Sequence, residues 1–379
     1  MTVRKIIVLI IFIAILVGSF WAAIRLREVG SGLFPILKPA PSLPVLDEDL
    51  PFTVPDGFAV SVFSRDVPGA RVLTRDFKGT LVASLTSEGR VVALPDTNGD
   101  HKADATIDIL TGLNNPHGIL FRCDPESDAS RLNGAGQNGN DCRMYVAEED
   151  VVLSYAYDPE TFTASLPRDI ASLPRDGGHS TRTILAHPDG EQLLVSVGSS
   201  CNVCEEKDAR RAKVLAFNIK EGAFGTYTDF STGLRNMVFM TIHPVTGEIW
   251  GTEMGRDLLG DDTPPDEIDV LRLRGHYGWP YCYGKNIQDT TFEPANPGRC
   301  QKMDPSHIDI PAHSAPLGLA FVPEEGWPEA YWHDLLVAYH GSWNRSVPTG
   351  YKIVRFDLDP LGKPTGDPPA GGQDFITGF

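Results

Sequence analysis

This sequence predicts an all-β fold: a six-bladed β-propeller with its last blade missing or abbreviated, preceded by one N-terminal transmembrane helix. Three observations predict it. An apolar run, a turn with Pro or Gly and a second apolar run recur along the chain, as in TILAHPDGEQLLVSVG (183–198), MTIHPVTGEIWGTEM (240–254) and LGLAFVPEEGWPEAYWHDLLVAYHG (317–341). The 37 Gly and 30 Pro are scattered at turn-like positions, which reads as many short strands rather than disorder. No long amphipathic helical window separates the repeats, which argues against strands alternating with crossover helices.

Residues 1–30 read as a signal anchor. After Arg4-Lys5 come nineteen uncharged residues, IIVLIIFIAILVGSFWAAI (6–24), the length of a bilayer-spanning helix. No A-x-A-like cleavage site follows, because Trp21-Ala22-Ala23-Ile24 runs straight into Arg25. The positive end should stay cytoplasmic, so the chain is expected in the cytoplasmic membrane with its remainder in the periplasm or outside the cell. Residues 31–56 are proline-rich and read as an extended spacer.

Residues 57–379 read as the propeller domain. DGFAVSVFS (56–64) has the pattern of a strand that completes the last blade. Weaker copies of the repeat are RVLTRDFKGTLVASL (71–85) and the stretch 117–149. Each unit ends on a further strand-like run, such as RVVALPD or YKIVRFD. Five units are countable, which leaves a five-bladed ring as the other reading, and GGQDFITGF (371–379) stands where a further unit could begin.

The net charge is −17. An acidic chain without a Lys/Arg cluster is a poor nucleic-acid binder, since phosphates need cationic partners. The six cysteines fall as local pairs, 123/142, 201/204 and 282/300, which suggests disulfides in an exported domain. Zinc is the rival reading, but CNVC (201–204) has no second CxxC half.

Among motifs, GxGxxG occurs at 134–139 inside a polar loop, without the strand and helix that a dinucleotide site needs. No Walker loop or GxSxG elbow occurs. Asp96, Asn98, Asp100 and Asp104 place oxygens at positions 1, 3, 5 and 9 of a calcium-type loop. Its sixth residue is His101 rather than Gly and its twelfth Ile107 rather than Glu, so a plain hairpin turn is the other reading. His179, in GGHSTRTILAHPDG, precedes a strand where a neutral imidazole suits a general base. Arg235-Asn236 stands directly against the apolar run Met237–Met240. Arginine is a rigid fork for carboxylates or delocalised oxyanions. An acidic loop follows, with Glu253, Asp257, Asp261, Asp262, Asp266 and Glu267, and suits a divalent cation.

GGHSTRTI, GSSCNVCEE, GLRNMVF, PDEIDVLRLRGHYGWPYCYG and HGSWNRSVPTGYKIVRF together resemble the glucose/sorbosone dehydrogenase family over roughly residues 51–379. The resemblance implies a quinoprotein on a six-bladed propeller using pyrroloquinoline quinone (PQQ) and calcium. It implies His179 as the base that takes the sugar hydroxyl proton while hydride passes to the quinone. Arg235 and Asn236 would meet the reactive face of PQQ, with Arg235 stabilising charge on the quinone oxygens. The carbonyls of Gly255 and Arg256 would hold calcium, with Glu253 nearby. His117 joins the cofactor-binding candidates, together with His340, Arg345 and Lys352 as partners for a PQQ carboxylate. The chain departs from the pattern at three places: Ser199 lies where an aspartate orients the base, Met237 replaces Pro, and Gly255-Arg256 replaces Gly-Pro. The family's later arginine pair would fall beyond Phe379. The expected activity is a membrane-anchored oxidoreductase acting on an aldose or sorbosone-type sugar, with a quinone or cytochrome as electron acceptor. Two other functions fit the composition: a calcium-dependent propeller hydrolase, lactonase-like, using Glu253 and Asn236, and a non-catalytic exported binding propeller.

Overall fold

A computed structural model describes residues 50–124, 141–219, 224–294, 296–365 and 372–379. The expected anchor at 1–30, most of the spacer and the GxGxxG loop lie outside the described residues. Among the described residues, no helix is long and apolar enough to cross a membrane.

The chain is an all-β propeller with five blades among the described residues. The first sheet is β1 (Ala70–Arg75), β2 (Leu81–Leu85), β3 (Arg90–Leu94) and β4 (Ile107–Leu110); the second is β5 (Ile119–Asp124), β6 (Asp141–Ala147), β7 (Val151–Asp158) and β8 (Thr163–Ser172). The third is β9 (Ile184–Ala186), β10 (Gln192–Val197), β11 (Lys213–Asn218) and β12 (Tyr227–Thr232). The fourth opens with β13 (Met237–Ile242), β14 (Ile249–Glu253) and β15 (Asp266–Leu271). A two-residue strand β16 (Gly275–His276) then adds parallel to β12, and β17 (Cys282–Tyr283) pairs with β18 (Ile287–Gln288) as a small ribbon. β19 (Ile308–Ile310) completes the fourth sheet. The fifth is β20 (Pro316–Phe321), β21 (Leu335–Tyr339), β22 (Lys352–Phe356) and β23 (Gln373–Ile376).

Within each blade the four successive strands pair antiparallel with their neighbours in sequence. The first strands meet one another in succession, β1 with β5, β5 with β9, β9 with β13 and β13 with β20, so they line the axis. Alternating side chains from neighbouring blades pack into shared clusters. Ile109, Met144 and Tyr155 join the first blade to the second. Val152 and Val195 join the second to the third, and Leu194 and Met240 the third to the fourth. Trp250, Ile268 and Val337 join the fourth to the fifth.

The strand expected at 56–64 does not form. Its alternating apolar residues serve two different blades rather than one face. Phe58 stacks with Trp327, Tyr331 and Phe375 of the fifth blade, while Phe63 packs on the first. Just before it, Thr53 pairs with Thr377 in an isolated bridge. All three cysteine pairs form disulfides as the sequence suggested: Cys123–Cys142, Cys201–Cys204 and Cys282–Cys300.

Candidate active site

The site is built where β9, β10, β13 and β14 begin or end at one rim of the axis. His179 lies on the loop that leads into β9, and Arg235-Asn236 on the turn that leads into β13. Gly198, just past β10, lets them meet: a Cβ there would lie 2.6 Å from the His179 Cβ and 2.7 Å from the Asn236 Oδ1. The Ser199 N–H then donates to the Arg235 carbonyl at 2.7 Å.

His179 Nδ1 donates to the Ser199 carbonyl at 2.9 Å, with the Ser199 hydroxyl at 3.1 Å. That contact assigns the proton to Nδ1 and leaves the lone pair on Nε2, which has no partner among the described residues. Burial, and then the neighbouring Arg235 charge, push His179 down to about 4, so the ring is neutral at pH 7. Geometrically it is a ready proton acceptor.

Arg235 is only 6% exposed, and protein groups occupy every N–H of its guanidinium. Nε donates to the Asn202 carbonyl at 2.9 Å, and Nη1 to the carbonyls of Met254 and Gly255 at 3.3 and 3.0 Å. Nη2 donates to Asn202 Oδ1 at 3.0 Å and Asp257 Oδ2 at 3.1 Å. The charge pressed against an apolar strand thus brackets two neighbouring loops. Asn236 donates its N–H to Glu253 Oε1 at 3.0 Å. Glu253 is buried, its Oε2 has no partner among the described residues, and burial raises it well above the usual carboxyl range.

Gly255 is held from behind. Its N–H donates to Asp266 Oδ1 at 2.8 Å, and Asp266 Oδ2 takes the Ala315 N–H at 2.8 Å. Burial raises Asp266 to about 6. Arg256 pairs with Asp289 at 2.6 Å. Glu267 accepts the Gly284 N–H at 2.7 Å. A small cleft opens against Arg235, Glu253, Gly255, Arg256, Glu267 and Trp279. His179 is not in its walls.

The remaining candidates are distributed differently. Arg345 ties the Asp261 carbonyl and the Asp262 carboxylate, and Asn344 donates to Asp257 Oδ1 at 3.1 Å; the acidic loop is therefore stitched to the loop before β22. Lys352 pairs with Asp374 across β22 and β23. His340 is exposed, its ring 6.4 Å from that of Tyr351. His117 is fully buried, packed on Phe239, and its Nε2 is unpartnered among the described residues. Burial pushes it down to about 3. The Asp96–Asp104 loop lies on the connection from β3 to β4, where Asp96 accepts the N–H groups of Gly99, Asp100 and His101, and Asp104 accepts that of Thr97. Those side-chain-to-backbone contacts close the loop on itself.

Two arginines escaped the sequence reading. Arg182 is fully buried and donates to the carbonyls of His179, Thr181 and Pro174 at 2.8–3.0 Å. Arg211 donates to the carbonyls of Gly198, Arg175 and Asp176 at 2.9–3.1 Å. Gly177 makes room for it, since a Cβ there would sit 2.8 Å from the guanidinium carbon. Neither lies within ion-pair distance of a carboxylate among the described residues. Together with Arg235 they surround His179 with buried positive charge in an acidic protein. The only advance signal was ARRAK at 209–213, whose second arginine faces inward.

A family model for TrAA12-like proteins matches residues 52–374. An uncharacterised protein of Borreliella burgdorferi is 38% identical over 192 residues, 50% of this chain and 49% of that protein. A pyrroloquinoline quinone-dependent pyranose dehydrogenase of Coprinopsis cinerea is 25% identical over 346 residues, 79% of this chain and 44% of that protein. The chain thus spans about half the length of the curated relatives it matches. Among solved structures, the holo PQQ domain of the Coprinopsis cinerea pyranose dehydrogenase superposes with a TM-score of 0.71 at 23% identity, covering 86% of both chains. The calcium structure of a family AA12 carbohydrate-active enzyme from Trichoderma reesei gives 0.69 at 21% identity, covering 86% and 87%. These structures share the fold, and the match across 52–374 places the chain in the TrAA12-like family.

Proposed function

We propose that this chain is a PQQ- and calcium-dependent oxidoreductase acting on a sugar of the aldose or sorbosone type. The observation that carries it is the neutral His179, its Nε2 lone pair bare, set among Arg182, Arg211 and Arg235. Membership of the TrAA12-like family supports it, since a relative in Coprinopsis cinerea is a PQQ-dependent pyranose dehydrogenase.

The residues fit an anionic quinone cofactor. Three buried guanidiniums, two of them bonded only to neutral carbonyls among the described residues, supply positive potential that a polycarboxylate would neutralise. The glycine at 198 keeps side-chain bulk out of the space beside His179 and Asn236. The carbonyls of the successive residues Gly255 and Arg256 are hard oxygens of the kind calcium takes. When bound, PQQ supplies the two-electron acceptor for hydride, with calcium polarising it. His179 accepts the hydroxyl proton at Nε2, and its Nδ1–H stays anchored on Ser199. Arg235 acts by charge and by fixing the Gly255 carbonyl, since its N–H groups are already engaged. Trp343, 76% exposed beside Asn344, offers an aromatic face to the apolar side of a pyranose.

The rest of the proposal follows the sequence. Residues 6–24 anchor the chain with its propeller outside the cytoplasm, and a quinone or cytochrome takes the electrons. The ring is of six-bladed plan, and residues 52–67 run across the arc between the fifth and first blades. The test is reconstitution of the full chain with PQQ and Ca²⁺, followed by dye reduction over a sugar panel. A bound-quinone spectrum with turnover is the expected result. Metal-dependent lactone cleavage without PQQ would replace this assignment with a hydrolase.

A further inference from the structure

Resting on that assignment, we propose that Asn202, carried in the four-residue ring closed by Cys201–Cys204, is the positioning residue for Arg235, and that this ring holds Arg235 and His179 as one unit. Asn202 turns its carbonyl and both side-chain polar atoms to the site. Its carbonyl accepts Arg235 Nε at 2.9 Å and Trp279 Nε1 at 3.3 Å. Its Oδ1 accepts Arg235 Nη2 at 3.0 Å and the Asp257 N–H at 2.8 Å, and its Nδ2 donates to the Asp257 carbonyl at 3.2 Å. The acceptor pair matches the edge of a planar guanidinium fork, which fixes the plane of Arg235 as well as its place.

The same ring reaches the base. The Cys201 carbonyl accepts the Ser199 hydroxyl at 2.6 Å, and Ser199 in turn receives His179 Nδ1. Below, Ser200 donates N–H and Oγ to Glu206 at 2.6 and 2.7 Å. A loop of this size would otherwise sample many conformations; the cross-link between residues three apart removes most of them. Asn202 thus arrives at Arg235 already ordered, and small displacements of such groups lower turnover steeply.

Asn202→Ala, Asn202→Asp and the Cys201→Ser/Cys204→Ser double variant test this in the full chain. Two readouts are taken: sugar oxidation with PQQ and Ca²⁺, and hydrogen exchange of the Arg235 Nε–H in the protein without cofactor, followed by NMR. Asn202→Ala should lower kcat about 10- to 100-fold with KM changed less than about twofold, and should speed that exchange. The double serine variant should shift both readouts the same way. Asn202→Asp, which keeps the acceptor oxygen, should stay within about threefold of wild type in kcat. Unchanged exchange and kcat in Asn202→Ala, or an aspartate variant as impaired as alanine, would overturn the proposal. If alanine does not fold, the aspartate and double serine variants decide. If the wild type takes no PQQ and oxidises no sugar, the dehydrogenase assignment falls, and the exchange readout alone still decides the positioning role.

Discussion

His179, the base of the proposed function, would owe its readiness to its surroundings. Burial and the adjacent Arg235 keep it unprotonated down to about pH 4, well below the ordinary imidazole range. The acid limb of kcat/KM should therefore fall near pH 4, measured with saturating PQQ and Ca²⁺, and a limb near 6.5 would contradict the burial argument. His179→Gln should lower kcat about a thousandfold while thermal unfolding stays within a few degrees of wild type. Arg235 answers differently. From sequence alone, Arg235→Ala is expected to abolish oxidation and spare the fold, but this side chain brackets the Asn202, Gly255 and Asp257 loops. Its removal should cost about 3 kcal/mol in urea unfolding as well as activity. The positions of His179 and Arg235-Asn236 were legible because each lies just ahead of an apolar run, at 184–186 and 237–240. Arg182 and Arg211 were not, because a buried arginine satisfied by backbone carbonyls leaves no acidic partner to notice in the sequence.

At the scale of the element, the fourth blade is unusual for its buried acid. Glu253 faces Glu267 across β14 and β15, and Asp269 lies opposite Gly251. Both Asp269 oxygens lack partners among the described residues, and burial raises all three groups well above the ordinary range. A carboxyl that keeps its proton when folded but loses it when unfolded favours the folded state less as pH rises. Its contribution is fullest below about pH 4 and is lost on the way up to the raised value. Asp269→Asn should therefore raise stability by about 2 kcal/mol at pH 8 and leave it nearly unchanged at pH 4, read as the difference between two denaturation curves. The strands themselves were legible, because Gly and Pro mark the turns between apolar runs. Residues 56–64 were not: FAVSVF alternates like a strand, yet Phe58 and Phe63 belong to different blades, and no sequence pattern tells one packing partner from two.

At the scale of the whole molecule, the stretch from Thr53 to Phe63 links the fifth blade to the first. Phe58→Ala should lower stability by about 2 kcal/mol and broaden the thermal transition, because it frees that link from Trp327, Tyr331 and Phe375. The five repeats and their order were readable from sequence; how the arc between the last and first is spanned was not, since that depends on side chains far apart in the chain. The buried arginines around His179 have a kinetic corollary. An anionic ligand approaching this protein first meets a body of net charge −17 and only later the enclosed cations. Dissolved ions screen the outer repulsion across a Debye length of about 8–10 Å but penetrate little to the interior. PQQ should accordingly associate faster, not slower, as ionic strength rises from about 10 to 150 mM, a reversal that stopped-flow quenching of its fluorescence would register.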